Sequence, residues 1–442
     1  MRRKRCRMEC RKGDLWKIFP VLVLYLLTSC ERANEPAPRP VEPSSSPEWA
    51  VLKEFTQDDL REMERGLGLS HFSIIGAMPR YPGKVQVRAV KMTFSSAHPG
   101  GGAARIRFSG LLLLPPTIDS ARIHSQLLAL PYTYVLNRQT PTQQIADYVP
   151  ARLEAYMLFG ILQASRGYVV LMPDYPGFGE SFGQCAMPYV ERRPMVHATI
   201  DFIRASQQVL QAMHYGRKRE LTITGYSLGA YVATQTAREM ETNASAVSEL
   251  TIDRLWVGGT PCDLKRIADE AKVATHLPTP YLLPLVIHSY RRNGYPKIAV
   301  DRLLRPPYAE QLTSRFDGMN EAYADGLPTR ASDLFTEAFV RGDADVSAPI
   351  DAILSENSLT PWRNRCAFVM LHGASDRTVY IDNARTYAER HQVSGGHGLV
   401  HGGHGGIAVG PLLQADDDAG DEGRVLLAAR SHGFDTRTLP VL

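Results

Sequence analysis

Leu221-Thr222-Ile223-Thr224-Gly225-Tyr226-Ser227-Leu228-Gly229 runs from an apolar, β-type stretch into a G-x-S-x-G pentapeptide, and a helix-compatible stretch, Ala230 to Glu241, follows. A bare G-x-S-x-G is weak in a chain with 35 glycines, but strand before and helix after make it specific. The expected geometry is a nucleophile elbow, a sharp strand-to-helix turn that strains Ser227 and exposes its hydroxyl above a sheet. The flanking glycines let helix and strand approach closely. The N–H of Leu228 points into the same space and can donate to an oxyanion. The implied chemistry is serine-dependent acyl transfer.

A serine hydroxyl is a poor nucleophile at neutral pH, so it needs a base within reach and a carboxylate to hold that base. In sheets of this type the partners follow in the order Ser, Asp/Glu, His. The run Phe368-Val369-Met370-Leu371-His372-Gly373-Ala374-Ser375-Asp376 puts an acid just past a strand, which makes Asp376 the expected acid. Asp382 competes, yet it precedes Asn383-Ala384-Arg385-Thr386 and reads as a helix N-cap. Three candidates for the base, His397, His401 and His404, share the glycine-rich stretch Ser394 to Gly406. His404 is preferred because its small neighbours leave the imidazole room to reach the serine, with His401 second. The spacing H-x3-H-x2-H also permits a metal, but three ligands on a flexible loop without an assigned carboxylate are the weaker reading. No cofactor is implied. The second oxyanion donor is expected from Leu130-Pro131-Tyr132-Thr133-Tyr134, as the backbone N–H of Tyr132 or Thr133. Tyrosine rings there either line an acyl pocket or simply pack.

At 442 residues, 44% hydrophobic, the chain can bury a large core, and its composition excludes disorder, collagen and coiled coil. The net charge of +4 is concentrated at the start: the first 29 residues carry eight Lys/Arg against Glu9 and Asp14, which leaves the remainder at −2. No basic surface argues for nucleic acid as a partner. That start reads as an export signal, a basic segment followed by an apolar run, Ile18 to Leu27, too short to span a bilayer comfortably. Leu27-Thr28-Ser29-Cys30 resembles the lipobox of bacterial lipoproteins, which implies a signal over 1–29 and acyl chains on Cys30. An ordinary cleaved signal with an incidental cysteine is the alternative, and Met8 is a second possible start. Residues 30–47, rich in Pro, Ser and Ala, suit a flexible tether. The expected location is a membrane surface, periplasmic or at the cell exterior. Of six cysteines, three lie beyond the tether. Cys185 and Cys262 are the pair expected to bridge, because both should follow strand ends on one side of the sheet, and Cys366 is expected buried.

The folded part is expected to begin near Trp49 with a helix over Gln57 to Gly66. Lys84 to Ser95 and Arg105 to Leu114 read as a hairpin. Strand and helix then alternate: His124–Leu130, Arg152–Ser165, Tyr168–Met172, Pro194–His214, Glu220–Thr224, the elbow helix, and Ile252–Val257. This pattern implies an α/β fold, a mostly parallel sheet covered on both faces. The alternation lapses from Thr260 to Pro361 and resumes at Cys366. The chain therefore divides into a core over 48–260, a cap over 261–361 that holds short helical pieces such as Ser332 to Val340, and a second core part over 362–442.

These residues resemble the α/β-hydrolase superfamily, and more narrowly its secreted lipase and esterase branch, over roughly Lys84 to His404. Met172-Pro173-Asp174-Tyr175-Pro176-Gly177-Phe178-Gly179-Glu180-Ser181 is similar to the turn these enzymes carry after their fourth strand, and Ala198 to Ala205 to the helix that follows it. The resemblance implies an inserted helical cap, a triad of Ser227, His404 and Asp376, an acyl-serine intermediate, and a small-molecule or lipid ester as substrate. Two departures stand out. Pro131-Tyr132 replaces the His-Gly that many relatives have in the oxyanion loop, and glycine-rich sequence replaces the strand expected before the histidine. A serine peptidase of the same fold usually adds an upstream propeller, for which the stretch between tether and sheet is too short. A non-catalytic binding protein is the alternative from another class.

Overall fold

The computed structural model describes residues 46–66, 84–116, 121, 123–243, 245–295, 298–396 and 398–401. Nine strands form one sheet: β1 (Glu48–Thr56), β2 (Val85–Ala97), β3 (Arg105–Leu114), β4 (Gln126–Leu130), β5 (Val169–Pro173), β6 (Glu220–Tyr226), β7 (Thr251–Gly258), β8 (Ala367–Leu371) and β9 (Gly398–His401). Their order across the sheet is β1-β2-β3-β5-β4-β6-β7-β8-β9. The first three neighbouring pairs are antiparallel, and every pair from β5 to β9 is parallel.

The strands explain the two-faced core. Successive side chains of a strand point to opposite faces. In β3, Leu112 and Leu114 accordingly join the cluster of Phe202, Ile203 and Tyr231, whereas Leu111 and Leu113 join that of Met157, Ile161 and Ala164. Helix α4 (Arg192–Ala212) and the elbow helix α5 (Leu228–Thr242) thus cover one face, and α3 (Ala155–Ser165) the other. The α1 helix (Gln57–Gly66) has the bounds read from the sequence, and α2 (Pro141–Ala146) is a short helix preceding α3.

Between β7 and β8 the chain forms α6 (Leu264–Lys272), α7 (Leu282–Asn293), α8 (Val300–Leu303), α9 (Tyr308–Arg315), α10 (Ala331–Leu334), α11 (Glu337–Arg341) and α12 (Ala344–Asn357). This helical insertion falls where the alternation lapses. Its expected piece Ser332 to Val340 is two helices rather than one. Phe335 leaves the helix to bridge Leu304, and Thr336 restarts it by accepting the Phe339 N–H at 3.2 Å. The last helix, α13 (Ile381–Val393), has Tyr380 as its N-cap. Asp382 is therefore not the cap but the second helical residue, paired with Arg385 at 2.6 Å.

Two strands were not expected. Edge strand β1 exposes most of its side chains and buries only Phe55, so it lacks the apolar alternation that marks a strand, and its ladder to β2 supplies the order. Strand β9 forms within the stretch read as a glycine-rich loop, because pairing with β8 overrides the low β-propensity of glycine. The expected disulfide is also absent: Cys185, Cys262 and Cys366 are all free. The reason is that Cys185 does not sit at a strand end: it lies twelve residues beyond the last residue of β5, past the turn at Gly179–Ser181, so the premise that would bring it beside Cys262 does not hold. The Cys262 thiol instead donates to the Thr260 carbonyl at 3.4 Å, and Cys366 is buried as expected. The signal segment, Cys30 and most of the tether lie outside the described residues. Among those described, no helix is long and apolar enough to cross a membrane.

Candidate active site

Ser227 sits between the last residue of β6 and the first of α5 with φ +53° and ψ −117°, a conformation that non-glycine residues rarely adopt. Two backbone hydrogen bonds hold it. Its N–H donates to the Gly258 carbonyl at 2.8 Å, and its own carbonyl accepts the Tyr231 N–H at 3.1 Å. The glycines are obligatory: a Cβ on Gly225 would stand 2.3 Å from the Gly229 backbone, and one on Gly229 would stand 2.2 Å from the Leu130 oxygen. The elbow is therefore pressed against the end of β4. The N–H groups of Leu228 and Gly229 open α5 and have no carbonyl one turn earlier to bond, so they are free to face an anion.

The loop after β4 is fixed from several sides. The Pro131 carbonyl accepts the Tyr175 hydroxyl at 2.6 Å, and the Tyr134 oxygen accepts the Tyr175 N–H at 2.8 Å. Tyr132 donates its phenol to Glu154 and stands edge-on to Tyr156, so burial and the Glu154 carboxylate push that phenol up. The Tyr132 and Tyr134 rings pack rather than line the cavity at Ser227, which decides between the two readings of that loop. Thr133 pairs its hydroxyl with that of Tyr189 at 3.0 Å. Asp174, in the turn after β5, is also a structural residue. Its buried carboxylate accepts Ser109 Oγ at 2.5 Å, Thr142 Oγ1 at 2.6 Å and the Thr142 N–H at 3.1 Å, and burial pushes it up.

Asp376 lies in the turn past the C-terminal end of β8. Its Oδ1 accepts the N–H groups of Thr378 at 2.8 Å and Val379 at 3.0 Å. Its Oδ2 accepts no hydrogen bond from the described residues; His372 Nε2 stands 3.7 Å away and bonds the Val379 carbonyl instead, at 2.7 Å. One oxygen thus fixes the turn and the other is left open. A backbone chain joins this rim to the elbow, since Ser227 N–H bonds Gly258 and Gly259 N–H bonds the Leu371 carbonyl at 2.9 Å. Tyr226 stands between them, its phenol pushed up by burial and by the Asp376 charge. His401 ends β9 opposite Leu371 in the ladder, at the same rim. His397 and His404 lie outside the described residues, and of His401 only the backbone is described. Among the described residues no group of His, Cys, Asp and Glu could hold a metal ion.

Ser227 opens into a cavity of about 110 Å³, roomy against the ~10–15 Å³ that one water needs. Its wall is mainly aliphatic and comes from the insertion, through Leu264, Leu283, Val286, Phe335 and Leu354, with Val379 and Tyr380 from the Asp376 turn. Tyr189 and Val190 complete it, and neither was singled out in the sequence. Val190 has φ +50°, which a β-branched residue does not announce.

A mostly parallel sheet carrying a strained serine at its C-terminal rim, an acid after the next strand but one, and a helical insertion over both defines the class. The chain belongs to the alpha/beta hydrolase family, whose profile matches residues 147–419, and it is a hydrolase. Among solved structures it is similar to a protein of Legionella pneumophila described as a candidate hydrolase (18% identity, TM-score 0.67, covering 80% of this chain and 90% of that one). It is likewise similar to the rice cell wall degrading esterase LipA from Xanthomonas oryzae (23%, TM-score 0.63, 80% and 90%) and to Candida antarctica lipase A in its closed state (14%, TM-score 0.57, 80% and 75%). At these identities the likeness is one of fold. Comparison with curated proteins gives no match.

Proposed function

We propose that this hydrolase cleaves carboxylic esters through an acyl-serine intermediate on Ser227. The observation that carries the reading is the strained Ser227 opening into an aliphatic cavity, a place for an acyl chain beside a nucleophile. The names of two similar structures, an esterase and a lipase, agree with it.

In the proposed mechanism Ser227 Oγ attacks the ester carbonyl while His404 takes its proton, with His401 as the alternative base. The open Oδ2 of Asp376 holds the imidazole in the tautomer that accepts this proton. The N–H of Leu228 and that of Tyr132 or Thr133 donate to the oxyanion, a role that the unpaired first N–H groups of a helix support. The imidazolium then protonates the leaving alcohol, and water, activated by the same histidine, releases the acid. Outside the site, Cys30 would carry the acyl chains that tether the exported protein to a membrane surface, with residues 30–47 as the leash.

The test is hydrolysis of a p-nitrophenyl ester series from acetate to palmitate, beside Ser227→Ala and separate alanine variants of His397, His401 and His404. Loss of turnover by about 10³-fold or more with Ser227 and with one histidine is expected. A well-folded protein that hydrolyses no ester, or hydrolyses esters equally well without Ser227, would refute the reading.

A further inference from the structure

We propose that Tyr189 is a positioning residue for the oxyanion loop, its phenol fixing Thr133 so that the loop's backbone N–H groups keep their aim at the Ser227 cavity. The inference rests on the ester-hydrolase reading and adds to it a residue outside the triad and the elbow.

Three observations carry it. Tyr189 lines the cavity into which Ser227 opens, and its hydroxyl meets Thr133 Oγ1 at 3.0 Å. This is the side-chain tie that Thr133 makes in the loop following β4, whose other fixed points are at Pro131, Tyr132 and Tyr134. The neighbour of Tyr189, Val190, holds φ +50°, a left-handed conformation that is strained for a branched side chain and persists only when its surroundings impose it. Those surroundings are specific. The Val190 carbonyl accepts the Tyr231 hydroxyl at 3.1 Å, from the helix that Ser227 opens, and the Tyr290 hydroxyl at 3.3 Å, from α7. Glu191, buried, accepts Ser289 Oγ at 2.6 Å and Asn293 Nδ2 at 3.2 Å, both again from α7.

The segment Tyr189-Val190-Glu191 is thus clamped to the nucleophile helix on one side and to the insertion on the other, and it presents one phenol to the oxyanion loop. A strained backbone held this firmly fixes where that phenol lies. Burial also pushes the Tyr189 phenol up to about 12, so it keeps its proton at neutral pH and stays available as a donor. An oxyanion donor must meet the oxygen within a few tenths of an ångström, and a hydroxyl tie on the adjacent side chain restricts the loop to that geometry.

The experiment compares Tyr189→Phe, Thr133→Val, the double variant and Thr133→Ser on a short p-nitrophenyl ester, with Ser227→Ala as control and an unfolding midpoint for each protein. Tyr189→Phe and Thr133→Val are each expected to lower kcat by about 3–10-fold, the value of one hydrogen bond, with KM within about twofold. The double variant should be no slower than either single one, because both remove the same bond. Thr133→Ser, which keeps the hydroxyl, should lose less than Thr133→Val. An unchanged kcat in a folded Tyr189→Phe, losses that multiply in the double variant, or a loss confined to KM would overturn the proposal while Ser227→Ala remains inactive. Activity retained in Ser227→Ala would overturn the ester-hydrolase reading itself, and this inference with it.

Discussion

Ser227, Gly225 and Gly229 are bound by one steric condition. The left-handed serine brings α5 so close to β4 that the Gly229 Cα faces the Leu130 carbonyl with no room for a methyl group. Gly229→Ala is expected to destabilise the fold by about 1–3 kcal/mol, as over-packing does, and to lower activity beyond what stability explains, since the clash at Leu130 and Pro131 adjoins the residues proposed to donate to the oxyanion. Denaturant midpoints with kcat on the same samples check this. Glu191 makes a prediction of opposite character. Burial pushes its carboxyl up to about 7, opposed by the Ser289 and Asn293 hydrogen bonds. The unfolded chain ionises that group near 4.5, so between about 4.5 and 7 the unfolded state binds fewer protons and stability falls as pH rises. Glu191→Gln keeps an acceptor for Ser289 and Asn293, and it should flatten that slope and be the more stable protein at pH 8. Unfolding curves from pH 4.5 to 8 that run parallel for the two proteins would remove Glu191 as the source.

At the scale of elements, the end of the sheet that holds the proposed site is built by the parallel strands β4 and β6 to β9, whose C-terminal ends carry the loop of Pro131 to Tyr134, the Ser227 elbow, the Asp376 turn and His401. The insertion supplies the cavity wall, and Phe335 is its most buried aromatic member, edge-on to Phe339. Phe335→Leu should cost about 1 kcal/mol and shift the chain-length optimum toward longer acyl chains, read as the ratio of kcat/KM for octanoate over butyrate. An unchanged ratio would mean that the acyl chain lies elsewhere. Which elements could be read beforehand follows from where their information lies. The elbow and the strands around it were legible because their signals are local: a pentapeptide, a buried apolar run, a switch of period. The insertion was legible as a break in alternation. Strand β1 was not, because its side chains face solvent and its order comes from β2. Strand β9 was hidden by glycines. The Cys185 and Cys262 pairing failed because the path of the long segment between β5 and Cys185 is not written in the local sequence. Tyr189 and Val190 were missed because their role exists only through contacts with residues more than forty positions away.

At the scale of the whole molecule, the proposed leash at a membrane surface rests on the basic N-terminal segment, the apolar run after it and the Pro-rich stretch after Cys30. If Cys30 carries the proposed anchor, Cys30→Ser is expected to move the protein from the membrane fraction to the soluble fraction after cell fractionation, with ester turnover per molecule changed by less than about twofold, because Cys30 belongs to none of the proposed site's elements. A variant that stays in the membrane fraction would show that another segment holds it there. The central claim, that Ser227 is the nucleophile, is tested most directly by treating the protein with a fluorophosphonate and locating the label by peptide mass mapping. The account predicts one phosphonyl group per chain, on Ser227, with ester hydrolysis lost in step. A label on a different residue, or full labelling of Ser227 with hydrolysis intact, would contradict it.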